Sequence, residues 1–167
     1  MDETTRVLEL RKVAYSHPHS VTLTDLAQSY YRDIYGGPDS SPMESEEFTA
    51  PLGTFFVGYV GADPVAMGGW RLHAVIQGWP SRRPAELRRM FVHPAQRGRG
   101  FARRLLATLE ASARSAGMDS AVLETGLPQV AAVRFYRAAG YVDIPRFGHY
   151  AAEEGSLHLG RMLRTDS

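Results

Sequence analysis

Apolar and polar positions partly alternate over residues 6–15, RVLELRKVAY, as they do along a half-buried strand. The period then lengthens. In SVTLTDLAQSYYRDIYGG, residues 20–37, Leu23, Leu26, Ala27, Tyr30, Tyr31 and Ile34 recur at helical spacing, with Ser or Thr to cap the start and Gly36-Gly37 to stop the end. After a loop rich in Pro, Ser and Asp, GTFFVGYVGADPVAMGGWRLH reads as two β-rich runs joined at Gly61-Ala62-Asp63-Pro64, which predicts a hairpin. AVIQGWPSRRP then reads as a loop, and AELRRMFVHP as a strand carrying Leu87, Met90 and Val92 and ended by Pro94.

From Gly98 the pattern becomes helical, with Ala102, Leu105, Leu106, Leu109 and Ala113 on one face and Gly117 as the stop. SAVLET, residues 120–125, predicts a short buried strand, and PQVAAVRFYRAAG, residues 128–140, a helix opened by Pro128 and closed by Gly140. YVDI and SLHLGRML predict closing strands around the loop PRFGHYAAEEG. Strands mixed with at least three helices predict an α/β layered domain in which helices cover a central sheet.

Composition narrows the chemistry. A chain of 167 residues is expected to form one domain, 1–167, with a core large enough to need no covalent staple. With no cysteine, it has no thiolate nucleophile and no Cys-based zinc site. MDETTRVLELRK carries charges throughout and no apolar run approaches a membrane span, so the expectation is a soluble, cytoplasmic protein without a membrane partner. A net charge of +1 argues against a general polyanion binder, yet eight arginines crowd between Arg82 and Arg104. His17-x-His19 lacks a third spaced ligand, so no metal is expected.

The crowding surrounds HPAQRGRGFARRLLATLE, a strand end, a glycine-rich turn and a helix start. Glycines there allow positive φ and close approach, and the unpaired N–H groups of a helix's first turn favour an anion, so the turn is a candidate phosphate cradle. A P-loop would need Lys-Ser/Thr after Gly100, where Phe101-Ala102 stand, and a dinucleotide fingerprint would need glycine at Arg103. An Arg-Gly-Arg-Gly nucleic-acid patch fits poorly, because this one runs directly into an amphipathic helix. A flexible connection with no ligand remains the plain alternative.

Arg97-Gly98-Arg99-Gly100-Phe101-Ala102 matches Arg/Gln-x-x-Gly-x-Gly/Ala, and in this respect the chain resembles the GNAT superfamily of acyl-CoA-dependent N-acetyltransferases. ELRRMFVHP resembles the family strand before that loop. LETGLPQVAAVRFYRAAGYVDI resembles the next strand and helix, through Ala132, Phe135, Tyr136, Gly140 and Tyr141. The strong resemblance covers roughly residues 85–147. It implies a mixed, mostly antiparallel central sheet with helices on both faces, the acyl-CoA N-acyltransferase fold, and transfer of acetyl from acetyl-CoA to a primary amine of a small molecule or peptide. A catalytically inactive acyl-CoA-binding module of the same fold is the alternative, and pairing as a homodimer stays open.

By position, the resemblance gives Phe91 and Val92 the pantetheine contacts and Arg97, Gly98, Arg99, Gly100, Phe101, Ala102 and Arg103 the diphosphate. Arg103 and Arg104 would serve equally as a solvated helix face. Tyr136 takes the family's tyrosine position near the cofactor sulfur as proton donor, with a packing role as its alternative. Gln129 stands where many members carry a cofactor-contacting Asn. Glu86 matches a catalytic glutamate of some members, Glu124 competes with it as base, and either would also serve as a carboxylate paired with arginine. Acceptor recognition is expected from the loops around Trp79 and Phe147, with Glu44, Glu46 and Glu47 as attractors of a cationic amine.

Overall fold

The computed structural model describes residues 7–37, 43 and 45–163, so Glu44 among the expected acceptor residues lies outside the described part. Within these residues seven strands form one sheet: β1 (Leu8–Lys12), β2 (Gly53–Val60), β3 (Asp63–Leu72), β4 (Pro84–Val92), β5 (Ser120–Gly126), β6 (Val142–Asp143) and β7 (Ser156–Met162). Their order is β1-β2-β3-β4-β5-β7-β6, and every pairing is antiparallel except β4 with β5. Among the described residues three α-helices complete the frame: α1 (Pro18–Tyr35), α2 (Phe101–Ser115) and α3 (Val130–Ala138).

Strand alternation sends the sheet's side chains into two cores. Phe55, Val57, Tyr59, Met67 and Phe91 pack with Leu23 and Ala27 of α1. Their neighbours Phe56, Trp70, Leu87 and Leu123 pack on the other face with Leu105, Leu106 and Leu109 of α2 and Tyr136 of α3. Leu105 and Leu109 are wholly buried; side chains of this size each contribute about 2 kcal/mol when removed from water.

Helix α1 starts earlier than the Ser and Thr signals suggest. Pro18 sits in its first turn, where a missing N–H costs nothing, and the His17 ring accepts the His19 N–H at 3.0 Å. His19 in turn meets the Tyr59 hydroxyl at 2.7 Å. Both histidines are thereby structural. Gly36, at φ 75°, closes the helix, as the sequence suggested.

Two irregularities open the middle of the sheet. β4 and β5 pair only from Pro84↔Ser120 to Glu86↔Val122, after which both strands continue apart, to Val92 and Gly126. Opposite the gap, the β3–β4 register shifts between Met67 and Gly69, and Arg89 adopts φ 58°. This is a β-bulge: two β4 residues face one on β3, and the strand bends and twists there. A non-glycine residue in that conformation costs on the order of 1–3 kcal/mol, which the surrounding packing must hold.

Candidate active site

The glycine-rich turn lies where β4 ends, at the open end of the gap. A short 3-10 turn, Pro94–Gln96, is capped by the His93 ring, and Arg97 leads into Gly98 and Gly100, at φ 79° and 78°. Gly100 is the N-cap of α2 and provides no side-chain cap; the first backbone hydrogen bond of the helix is Arg104 N–H to Gly100 O, at 3.2 Å. The N–H groups of Phe101, Ala102 and Arg103 therefore have no acceptor within the helix. A Cβ placed at Gly98 or Gly100 would meet no atom within 4 Å. Packing alone thus leaves room for a side chain at both turns.

Side chains around this cradle divide in two. Phe101 is buried with Leu8 and Val65, which fixes the start of α2, while Arg99 and Arg103 are exposed around it. Arg97 turns away from the turn, its guanidinium 5.3 Å from the Tyr30 ring centroid and its Nε 3.4 Å from Val92 O. Phe91 commits its side chain to the α1-side core, so its share in any binding is its backbone. Gln129 donates to the Tyr35 hydroxyl at 2.8 Å, which ties the start of α3 to α1.

Tyr136 stands beside the gap, packed in the α2-face core. It is buried and its hydroxyl donates to Met90 Sδ at 3.2 Å. A thioether is a weak acceptor, easily exchanged for another sulfur. Burial, with the nearby Tyr31 phenol adding to it, raises the Tyr136 pKa well above that of a free phenol, so the group stays protonated across the working range.

On the α1 face two chambers adjoin the gap. The first, of about 450 Å³, is lined by Tyr31, Tyr35, Gln129, Tyr150 and Glu153. The second, of about 410 Å³, is lined by Glu47, Arg71, His73, Glu86 and His149. Arg88 and Glu124 line both. Glycines shape the walls: a Cβ on Gly126 would collide with the Tyr35 hydroxyl, and one on Gly148 with the Glu124 carboxylate.

The two candidate carboxylates differ in setting. Glu86 is 2% exposed; Arg71 Nε lies 2.8 Å from one of its oxygens and Arg88 Nη1 3.7 Å from the other. Arg71 also reaches Glu47, at 3.1 Å. Burial works against the Arg71 charge, but Glu86 and Glu47 together outweigh it and raise its pKa. Glu86 therefore lies within a buried charge network. Glu124 accepts the backbone N–H of Tyr150 at 3.2 Å and stands at the wall shared by the two chambers.

Sequence reasoning did not find Arg71, the bulge at Arg89, the Tyr35–Gln129 bridge or buried His158. Each depends on strand register or on contacts between distant segments, so no local signal marks them. Trp79 packs with Ile76, Ile144 and Phe147 beneath the loops, and it lines neither chamber. Phe147 is buried in the same cluster. Among the described residues no group of three His, Asp or Glu could hold a metal ion, and no helix is long and apolar enough to cross a membrane.

The unpaired edge of β4, the open glycine turn and the uncapped helix start together suit a cofactor with an extended polar arm and a diphosphate. A family model described as the acetyltransferase (GNAT) family matches residues 21–141. An IAA acetyltransferase of Azospirillum brasilense is 41% identical over 78 residues, 47% of this chain and 51% of that one. The chain thus spans about half the length of that curated relative. The solved structure of a proposed acyl-CoA N-acyltransferase from Klebsiella pneumoniae superposes with a TM-score of 0.76 at 22% identity, over 95% of this chain and 99% of that one. That of yncA from Salmonella typhimurium, solved with its cofactor acetyl-CoA, gives a TM-score of 0.64 at 15% identity, over 96% of each chain. At such identities these likenesses show the fold.

Proposed function

The chain belongs to the acetyltransferase (GNAT) family, and we propose that it transfers the acetyl group of acetyl-CoA to a primary amine of a small molecule or peptide. The observation that carries this reading is the divergence of β4 from β5 after Glu86↔Val122. It joins an amide-lined turn at one end to a buried phenol on one face and a carboxylate-lined cavity on the other.

Acetyl-CoA, when bound, supplies an acyl group activated as a thioester. The β4 edge that faces β5, without a strand partner beyond Glu86, receives the pantetheine arm at Phe91 and Val92 as an added strand would. The N–H groups from Gly98 to Arg103 hold the diphosphate, with Arg99 and Arg103 adding charge from outside. Arg97 contributes first by closing the turn onto Val92 and α1. Gln129 contributes by bracing α3 against α1.

An amine enters from the α1 face. Among the described lining residues, Glu47, Glu86, Glu124 and Glu153 outnumber Arg71 and Arg88, so the cavity attracts an ammonium ion. An ammonium is no nucleophile until it loses a proton. We assign that proton to Glu124, because it stands at the wall shared by the two chambers. Glu86 instead fixes Arg71 and Arg88 at the cavity wall. Tyr136, on the opposite face, donates its hydroxyl to the departing sulfur in place of Met90.

Thiol release with a panel of amines tests the reading, alongside thermal stabilisation by CoA. The expected result is stabilisation by CoA and release that needs both acetyl-CoA and an amine. Stabilisation without amine-dependent release across a broad panel would mark an inactive acyl-CoA-binding module, and the absence of both would remove the cofactor reading.

A further inference from the structure

A buried histidine faces the proposed base from the neighbouring strand. His158 on β7 is the register partner of Glu124 on β5, so both side chains leave the sheet on the α1 face. His158 is 3% exposed and lines neither chamber. Its ring is committed to the loop that runs over Glu124. Nδ1 accepts the Phe147 N–H at 3.3 Å, and the Phe147 ring stands edge-on at 5.1 Å. Nε2 lies 3.0 Å from Ser156 Oγ, and that hydroxyl faces Tyr150 O at 2.9 Å and Glu153 O at 3.0 Å.

One protonation state satisfies all of these contacts. Because Nδ1 accepts, the ring proton sits on Nε2 and is donated to Ser156 Oγ, whose own proton goes to a loop carbonyl. A protonated ring would place an N–H against the Phe147 N–H. Burial and the nearby Arg146 cation both lower the His158 pKa, which keeps the ring neutral.

The imidazole thus grips both feet of the loop 147–156, at Phe147 and at Ser156. The middle of the same loop touches Glu124: Tyr150 N–H donates to Oε2 at 3.2 Å, and the Cα of Gly148 packs against the carboxylate. A glutamate side chain has freely rotating torsions, and a carboxylate that takes a proton from an amine must be held within hydrogen-bond reach of it. We propose that His158 is a positioning residue for Glu124, acting through the 147–156 loop that it clasps at both ends. The inference rests on the reading of Glu124 as the base, and the same clasp forms one wall of the acceptor chambers.

The test compares wild type with His158→Leu, which removes both bonds, His158→Asn, which keeps an acceptor for the Phe147 N–H, and Ser156→Ala, which leaves the core intact. Amide hydrogen exchange over residues 147–156 reads the clasp without any acceptor. The expectation is faster exchange at Tyr150 in His158→Leu, with near wild-type protection in His158→Asn. In the thiol-release assay His158→Leu is expected to lower kcat tenfold or more while CoA affinity changes less than twofold. His158→Asn should recover most of the loss, and Ser156→Ala should show a smaller loss of the same kind. Added to Glu124→Gln, His158→Leu should lower kcat no further, since it acts through that carboxylate. Unchanged exchange at Tyr150, or losses that multiply in the double variant, would overturn the proposal. A Glu124→Gln variant with full kcat would overturn the reading of the base instead, while the exchange result still decides whether His158 holds the loop.

Discussion

The two faces of the central sheet are assembled in different ways. On the α2 face, everything offered to the cofactor comes from one run of chain, β4 through α3, in which each element leads directly into the next. On the α1 face the acceptor chambers are built from the end of α1, the turn at Glu47, the end of β3, Glu86 and Arg88 of β4, the end of β5 with the approach to α3, and the loop before β7. The first arrangement is set by local geometry, a strand ending in a turn that opens a helix. The second exists only once several distant segments have met, and a few charge pairs and glycines hold them together. Changes on the two faces should therefore separate cofactor binding from acceptor handling.

The largest expected effect tests the phenol that stands between the faces. Tyr136→Phe keeps the ring in its core and removes only the donor, so kcat should fall about 10²–10³-fold, in the range of general-acid contributions, with CoA affinity unchanged. Steady-state kinetics beside calorimetric CoA titration would check this, and unchanged turnover would return Tyr136 to packing.

Next comes the contrast between the carboxylates. Glu124→Gln should lower kcat about 100-fold with little change in melting temperature. Glu86→Gln should instead remove a buried carboxylate charge from beside Arg71 and Arg88 and cost about 3 kcal/mol of stability. Thermal unfolding and kinetics on both variants would show whether the two roles are exchanged.

At the turn, Gly100→Val places a side chain where no protein atom lies within 4 Å. Stability should drop by about 1–2 kcal/mol from the positive φ. CoA affinity should fall about 10- to 100-fold, the equivalent of one lost charge-assisted hydrogen bond. Retained affinity would reduce the turn to a connection. On the other face, Gly126→Ala should displace Tyr35 and raise the acceptor KM several-fold, leaving CoA binding untouched.

The smallest effect concerns pH. Burial and Arg146 lower the His158 pKa below its usual value of 6.5. The unfolded chain then takes up that proton at a higher pH than the folded one does. Stability from this group is full above about pH 6.5 and declines as pH falls towards the lowered folded value. Unfolding in denaturant across that window should show the decline in wild type and its absence in His158→Asn.

Much of the α2 face was legible in the sequence for the reason just given. Gly98, Gly100 and the apolar positions Leu105, Leu106 and Leu109 are neighbours in the chain, and local pattern and conformation speak through them. The hairpin at Gly61 and the stop at Gly36 were equally plain. The cap of α1 was not, because His17 is an unusual cap and Pro18 moved the start ahead of the Ser and Thr residues. The bulge at Arg89 carries no glycine or proline to announce it. Glu86 and Glu124 looked alike as letters; only the register Arg71↔Glu86 and the fold of the 147–156 loop over β5 distinguish their surroundings. Gln129 stood where an amide was expected, yet in the structure it bridges to Tyr35.

A crystal structure with CoA bound tests the central claim most directly. The account predicts the pantetheine arm along the unpaired edge of β4, the diphosphate on the amides of Gly98 to Arg103, and the sulfur on the α2 face within hydrogen-bond reach of the Tyr136 hydroxyl, across the gap from Glu124. CoA bound outside the β4–β5 gap, or with its sulfur among the tyrosines of the α1-face chamber, would contradict it.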